Sequence, residues 1–164
     1  MIRNTILISN FSVRKATVED ASAIHEILNA AFEKYRSYYT EEGFADTILS
    51  PQGVMERLQK MELYVAVIGN EKIVGTIGWT RITDEEAHIR GMAVHPDYHG
   101  TGIATALLKR TEQEIEKAGC NYITLDTTEV LKRAQRFYQK QGYERTGKVS
   151  DFFGMPIFEF SKKL

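Results

Sequence analysis

The sequence is poor in cysteine, in long apolar runs and in excess charge of either sign. Its one cysteine, Cys120, cannot form an intramolecular disulfide, so we expect a reducing, cytoplasmic location. No apolar run approaches the roughly 20 residues that a membrane-spanning helix needs. The formal net charge is −1, and the lysines and arginines are not clustered, so neither a membrane nor a nucleic acid is an expected partner.

The composition is that of a globular protein. Apolar residues make up 43% and charged residues 26% of the 164 residues, which disfavours the disordered and fibrous classes. A chain of this length can bury about two thirds of its unfolded surface around one core. We therefore expect a single domain over residues 1–164, with residues 1–12 as an N-terminal arm or an extra strand.

Apolar periodicity and turn residues predict a mixed α/β fold. Strands are predicted over residues 13–16, 63–68, 72–80, 87–94, 122–125, 143–148 and 156–160. Helices are predicted to begin near Thr17, Ser50, Ile103 and Val130, with an aromatic and acidic loop over residues 38–49. A right-handed crossover helix joins the strands at 87–94 and 122–125, which makes that pair parallel. The result is a mostly antiparallel central sheet flanked by about four helices.

A glycine-rich turn over residues 95–105 connects a strand to a helix. Gly100 and Gly102 lack the Cβ atoms that would keep a pyrophosphate away, and a helix N-terminus attracts anions. Alone this is weak evidence for a phosphate site, since glycines at the start of a helix often serve only to form the turn. A P-loop is excluded because no lysine follows Gly102. A nicotinamide-dinucleotide site gains support from Asp126 at the end of the next strand, although too little chain remains for further strand–helix units.

The same turn resembles the signature of the GNAT superfamily of acyl-CoA-dependent N-acyltransferases, Gln/Arg-x-x-Gly-x-Gly/Ala after Val-x-Pro. Here residues 99–104 read HGTGIA and follow VHP at 94–96, while residues 138–143, YQKQGY, are similar to the family's Tyr-x-x-x-Gly-Phe ending. The resemblance extends over nearly the whole chain. It implies a GNAT-like α/β fold in which a splayed pair of parallel strands binds acyl-CoA, with acetyl-CoA as the co-substrate.

By this resemblance, backbone groups of one strand and of the glycine turn bind the cofactor. The implied residues are Met92, Ala93, Val94, His99, Gly100, Thr101, Gly102, Ile103, Ala104 and Thr105. The chain departs from the family pattern at two positions. His99 replaces Gln or Arg, and Leu131 stands where many relatives carry an asparagine that helps to orient the pantetheine or the catalytic region.

The resemblance also implies direct acetyl transfer to an amine without a nucleophilic side chain. Tyr138 matches the family's general acid, which protonates the departing thiolate. The attacking amine must be neutral, so a base or a water relay is expected, and Glu86 and His88 are the candidates. No metal ligands are predicted.

The acceptor amine belongs to a small molecule or a protein that the sequence does not identify. Five aromatic residues are candidates for its binding site: Tyr35, Tyr38, Tyr39, Phe44 and Trp79. The first four surround the acidic residues Glu41, Glu42 and Asp46, a combination that suits a cationic amine. A homodimer through an exposed edge at residues 156–160 is a further prediction. The alternative function is a non-catalytic CoA-binding sensor or regulatory module, which the two departures from the family pattern favour.

Overall fold

The computed structural model describes residues 10–164, which form seven strands and five α-helices. The strands are β1 (Phe11–Lys15), β2 (Glu62–Ile68), β3 (Lys72–Arg81), β4 (Glu86–Val94), β5 (Tyr122–Thr128), β6 (Glu144–Phe152) and β7 (Met155–Lys163). The helices are α1 (Ala21–Phe32), α2 (Glu41–Thr47), α3 (Pro51–Lys60), α4 (Ile103–Lys117) and α5 (Lys132–Lys140). No helix within residues 10–164 is long and apolar enough to cross a membrane.

All seven strands belong to one sheet, in the order β1-β2-β3-β4-β5-β7-β6. Strands β4 and β5 are parallel, and every other neighbouring pair is antiparallel. This confirms the predicted mixed, mostly antiparallel sheet with one parallel pair. The prediction of an exposed edge at residues 156–160 is wrong, because these residues lie in β7, which pairs with β5 on one side and β6 on the other.

Helices cover both faces of the sheet. On one face α4 and α5 pack on a core that includes the fully buried Leu107, Leu108 and Ile115. On the other face α1 and α3 bury Ile24 and Val54 in a core that includes Val65 of β2 and Ala93 of β4. Burying each of these leucine, isoleucine and valine side chains contributes about 1.5–3 kcal/mol to folding. The central strands are therefore held firmly from both sides.

The parallel pair separates part of the way along its length. Pairing between β4 and β5 begins at Glu86 and Tyr122 and ends at Ile89 and Leu125, although both strands continue. Gly91 follows at a φ of 68°, and the register between β3 and β4 shifts at this level. The bulge turns β4 away from β5, so within residues 10–164 no strand pairs with the edge of β4 beyond Gly91.

The segment over residues 38–49 is not the predicted loop, because it contains α2. The side-chain oxygen of Thr40 accepts a hydrogen bond from the amide of Gly43 at 3.1 Å and caps this helix. Glu41 and Glu42 lie in its first turn, where negative charge is favourable. The helix that begins near Thr17 ends at Phe32 and continues as the 3₁₀ turn Glu33–Tyr38.

The N-terminal arm or strand predicted over residues 1–12 lies mostly outside the described residues. Within the described part, Phe11 begins β1, so this strand starts two residues earlier than predicted. Strand β1 pairs with β2 along its whole length, from Phe11 opposite Ile68 to Lys15 opposite Tyr64.

Candidate active site

A cleft of about 580 Å³ opens where β4 and β5 separate. Its walls include the separated ends of both strands, the N-terminus of α4, the end of α1 and the inward face of α5. All ten residues predicted to bind the cofactor line this one cleft. The glycine turn and the free edge of β4, which are distinct parts of the chain, therefore form a continuous surface.

The glycine turn presents free amides to one end of the cleft. The first hydrogen bond inside α4 runs from the amide of Ala106 to the carbonyl of Gly102, so the amides of residues 103–105 have no partner of this kind. Gly100 and Gly102 adopt φ angles of 76° and 88°, and a Cβ atom at either position would meet no atom of the described residues within 4 Å. Open space and unpaired amides at a helix N-terminus suit the phosphates of an anionic ligand.

Two cationic side chains, Lys34 and Arg133, line the same end of the cleft. Partial burial lowers the pKa of His99, and the positive charges of Arg133 and Lys34 lower it further. The Nε2–H group of His99 donates to the carbonyl oxygen of Val94 at 3.1 Å. The ring is therefore neutral and tied to β4, so the positive potential at this end comes from the amides and the two cations.

The exposed edge of β4 carries unpaired backbone groups. The amide of His95 donates to Val74 in β3 at 2.8 Å. Because successive residues of a strand direct their backbone groups to opposite sides, those of Val94 and Met92 face the cleft. The bond from His99 occupies the Val94 carbonyl, which leaves the amides of Met92 and Val94 as donors toward the cleft.

Tyr138 lies on the face of α5 that closes the cleft. Its side chain is only 7% exposed, and its hydroxyl donates to the sulfur of Met92 at 3.4 Å. Burial raises the pKa of the phenol well above its ordinary value of 10. The hydroxyl therefore keeps its proton at neutral pH and lies beside the free edge of β4.

A chain of polar contacts links β4 to β5 at the point of separation. Nδ1 of His88 lies 2.7 Å from the hydroxyl of Thr124, which in turn lies 3.4 Å from the carboxylate of Glu86. On its other side, Nε2 of His88 lies 3.4 Å from the carboxylate of Asp126. Burial lowers the pKa of His88 and raises the pKa of Asp126, so it opposes the charged form of each group. Of the two predicted bases, His88 lines the cleft and Glu86 does not.

The five predicted acceptor residues separate into two groups. Tyr35 and Tyr39 line the cleft, and the hydroxyl of Tyr39 contacts that of Thr128 at 3.2 Å. Tyr38 points to solvent and is 62% exposed. Phe44 is buried against Tyr39 and stacks under the guanidinium of Arg36 at 4.2 Å, outside the lining of the cleft.

Trp79 is likewise not a wall of the cleft. It is buried in the core beneath α4 and α5, where it packs with Tyr64 and Ile89. The reason is its position on β3, where alternate residues face opposite sides of the sheet. Its predicted role in binding the acceptor therefore has no support from its position.

Five charged side chains of the cleft were not identified from the sequence as site residues: Lys34, Asp46, Arg57, Arg90 and Arg133. Arg90 follows His88 at the spacing that places both on one face of β4, and it forms an ion pair with Asp46 of α2. Arg57 reaches the cleft from α3. The alternation along β4 could have indicated Arg90, but no local signal links Arg57 or Asp46 to this strand.

Comparison with known proteins gives a family match and close relatives. The model of the acetyltransferase (GNAT) family matches residues 21–143. An uncharacterized N-acetyltransferase of Methanocaldococcus jannaschii is 32% identical over 135 residues, which are 80% of this chain and 76% of that protein. Human N-acetyltransferase 8B is 30% identical over 82 residues, which are 47% of this chain and 36% of the human protein.

The fold is also found among solved structures. The crystal structure of the PaiA N-acetyltransferase from Thermoplasma acidophilum, in complex with coenzyme A, matches with a TM-score of 0.76. The match covers 94% of this chain and 99% of that one at 23% sequence identity. An identity this low supports the shared fold and nothing finer.

Proposed function

This chain belongs to the acetyltransferase (GNAT) family, and we propose that it transfers an acetyl group from acetyl-CoA to a primary amine of a small molecule or a protein. The observation that carries the proposal is that one cleft joins three features. These are the unpaired amides of the glycine turn, the free edge of β4 and the protonated hydroxyl of Tyr138. They come from distinct parts of the chain, yet they meet in one space.

The residues present fit acetyl-CoA, which supplies an acetyl group activated as a thioester. Gly100 and Gly102 leave room for a pyrophosphate against the first amides of α4, and Lys34 and Arg133 add positive charge there. The free edge of β4 offers amides to the extended pantetheine arm. The apolar side chains of Ala134 and Phe137 continue the same wall.

A backbone amide of β4 would polarise the carbonyl that the amine attacks. The amides of Met92 and Val94 are held in place by the pairing of β4 with β3 and face the cleft. A fixed donor aimed at a developing negative oxygen lowers a barrier by roughly 3 kcal/mol. This donor does not need to reorganise during the reaction, because the sheet holds the strand rigidly.

His88 and Asp126 would take the proton that the amine must lose. In the overall transfer a nitrogen–carbon bond forms, the carbon–sulfur bond breaks, and one proton leaves the nitrogen. Because burial lowers its pKa, His88 is neutral at pH 7 and can accept that proton, directly or through one water. The carboxylate of Asp126 then stabilises the charged ring.

Tyr138 would provide a proton to the departing thiolate. Its hydroxyl lies beside Met92, at the part of β4 whose amides face the cleft. A phenol with a raised pKa is fully protonated at neutral pH, and a thiolate that leaves without an acid would be a poorer leaving group. The reaction is balanced in protons, because one proton leaves the amine nitrogen and one proton is added to the sulfur.

Two measurements on the purified protein test the proposal. Calorimetry with acetyl-CoA, desulfo-CoA and NAD measures cofactor binding, and release of free thiol across a panel of primary amines measures turnover. We expect micromolar binding of the CoA ligands, no binding of NAD, and thiol release that depends on both acetyl-CoA and an amine. Binding of CoA ligands without turnover on any amine would instead support the non-catalytic CoA-binding module, and absence of CoA binding would overturn both.

A further inference from the structure

Arg57 of α3 reaches into the cleft at the point where β4 separates from β5. Its side chain is partly buried and lines the cleft together with Arg90 and Gly91. A Cβ atom on Gly91 would lie 3.0 Å from Nη1 of Arg57, so the guanidinium lies directly over the bulge. The glycine thus leaves the space in which this guanidinium lies.

Arg57 has no partner within the described residues. Among residues 10–164 its guanidinium makes neither a hydrogen bond nor an ion pair, although none of its nitrogen atoms is sealed from the cleft. Asp46, whose charge acts on Arg57, forms its ion pair with Arg90 instead. Burial, together with the positive charge of Arg90, lowers the pKa of Arg57 to about 10.

An unpaired cation at this partly buried position is unfavourable for folding, and binding of an external anion would compensate its charge. A partly buried charge without a counter-ion destabilises a protein unless something compensates it. A guanidinium presents a planar pair of donors that matches a carboxylate. The open side of Arg57 faces the cleft, so the compensating anion would come from a ligand.

The phosphates of CoA are too distant to be that anion. His95, the first residue of the glycine turn, follows Gly91 of β4 by four residues, a distance of about 13 Å along an extended chain. That end of the cleft has its own amides and the cations Lys34 and Arg133. Arg57 instead lies next to Arg90, which shares one face of β4 with His88.

We propose that the acceptor is an amine that carries a carboxylate close to its amino group, as in a free amino acid, and that Arg57 binds this carboxylate. The inference rests on the proposed acetyl transfer and names its acceptor class. The carboxylate on Arg57 would hold the amino group between His88 and the free edge of β4. Arg90 is a positioning residue, because its pairing with Asp46 keeps that carboxylate from neutralising Arg57.

The test compares acceptors that differ only in the carboxylate. Thiol release with acetyl-CoA is measured for the standard amino acids and for the amines that lack only their α-carboxylate, such as phenylalanine against phenethylamine and lysine against cadaverine. We expect an amino acid to be preferred over its matched amine by about 10- to 100-fold in kcat/KM, the effect of one charged hydrogen-bonded pair. Binding of the same compounds to the CoA-loaded protein is measured by calorimetry.

Variants of Arg57 test whether this residue causes the preference for an amino acid over its matched amine. In Arg57→Gln we expect the preference for the amino acid to disappear, because kcat/KM should fall much more for the amino acid than for the matched amine. Arg57→Lys should restore part of the preference. Arg136→Gln is the control, because Arg136 is an exposed arginine of α5 outside the cleft. We expect Arg57→Gln to melt no lower than the wild type, since it removes an unpaired charge.

The outcomes separate this inference from the proposed function. Equal use of amino acids and matched amines, or an equal loss for both in Arg57→Gln, would overturn the role of Arg57 and leave acetyl transfer intact. Binding of amino acids that depends on Arg57, without acetylation of any amine, would support the anion site and contradict the transferase. If no amino acid is acetylated and none binds in an Arg57-dependent way, the carboxylate inference is wrong.

Discussion

Nε2 of His88 lies 3.4 Å from the carboxylate of Asp126, across the last paired residues of the parallel strands. The two side chains are 38 positions apart in sequence and meet because His88 is in register with Thr124. Burial favours the neutral form of each, while the charge of each favours the charged form of the other. The pair is therefore a proton acceptor, and burial and the mutual charge interaction have opposing effects on its affinity for the proton.

The first prediction concerns the pH dependence of turnover. The pKa of His88 is lowered below its ordinary 6.5, so the base form dominates at neutral pH and activity should be lost as the pH falls through the lowered value. In Asp126→Asn the carboxylate that raises the pKa of His88 is absent. The loss of activity on the acidic side of the pH–rate profile should therefore occur at still lower pH. Rates of thiol release at saturating acetyl-CoA check this, and an unchanged acidic side of the profile would contradict the role of the pair.

His88→Gln tests the same pair from the other side. Loss of a positioned base typically reduces a rate by about 10²- to 10⁴-fold, so we expect a deficit of this order at neutral pH. The deficit should shrink at alkaline pH, where a larger fraction of the free amine is already neutral. A deficit that stays constant with pH would indicate a structural role for the ring.

Tyr138→Phe should reduce kcat by about 10²-fold or more without weakening acetyl-CoA binding beyond a few-fold. The ring would keep its packing on Phe137 and Tyr143, and the hydroxyl loses only its contact with the sulfur of Met92. Single-turnover thiol release separates chemistry from binding.

Tyr143→Phe is the matched control for that variant. Its ring lies 5.8 Å from that of Tyr138, and its buried hydroxyl has no hydrogen-bond partner within residues 10–164. Removing an unsatisfied buried hydroxyl should leave both kcat and stability unchanged or slightly improved. Similar losses in the two variants would mean that packing, and not the proton of Tyr138, matters.

The sequence allowed us to predict the parts of this site that depend on neighbouring residues. It did not predict the contacts that depend on the register between strands. The glycine turn and the parallel pair follow from helix ends and crossover geometry. Tyr138 was named as a site residue through the resemblance to the family's motif. The helix α2 also had a local signal, the capping residue Thr40 before two glutamates, but this seven-residue helix was predicted as part of a loop. Trp79 lies on the same face of β3 as the buried Ile77, and periodicity alone does not show which side of the sheet that face covers.

Asp126 was named from the sequence, but its contact with His88 was not predicted. Its place at the end of a strand was predicted, and it served as support for a dinucleotide site. Only the pairing of β4 with β5 shows that it contacts His88 inside the cleft. Arg57 is harder still, because α3 packs on α1, and no motif encodes the tertiary contact that brings Arg57 to Gly91 of β4.

Gly102→Glu should abolish binding of acetyl-CoA while leaving the fold intact. The added carboxylate would lie at the amides that bind phosphate and would repel it, whereas its Cβ would meet no atom within 4 Å. The φ of 88° makes a non-glycine residue strained by about 1–2 kcal/mol, so a modest loss of stability is expected as well. Calorimetry with acetyl-CoA and urea unfolding report the two effects separately.

Gly119→Glu is the control for that substitution. Gly119 follows the other end of α4 at a φ of 92°, again with open space around a Cβ atom, and it does not line the cleft. It should lose a similar amount of stability and keep its affinity for acetyl-CoA. If both variants lost binding equally, the glycine turn would not be the phosphate site.

Gly91→Ala tests whether the bulge of β4 serves the cleft as well as the fold. The backbone at a φ of 68° costs an alanine about 1–2 kcal/mol, and its methyl group would also lie 3.0 Å from Nη1 of Arg57. Gly147→Ala in β6 has a φ of 90° and no atom within 4 Å of the new methyl, so it shares the backbone strain without the contact. Urea unfolding should show a loss in both variants. Only Gly91→Ala should reduce kcat/KM, because it displaces the guanidinium and alters the separation of β4 from β5, and an equal effect on kcat/KM in Gly147→Ala would show that lost stability is the sole cause.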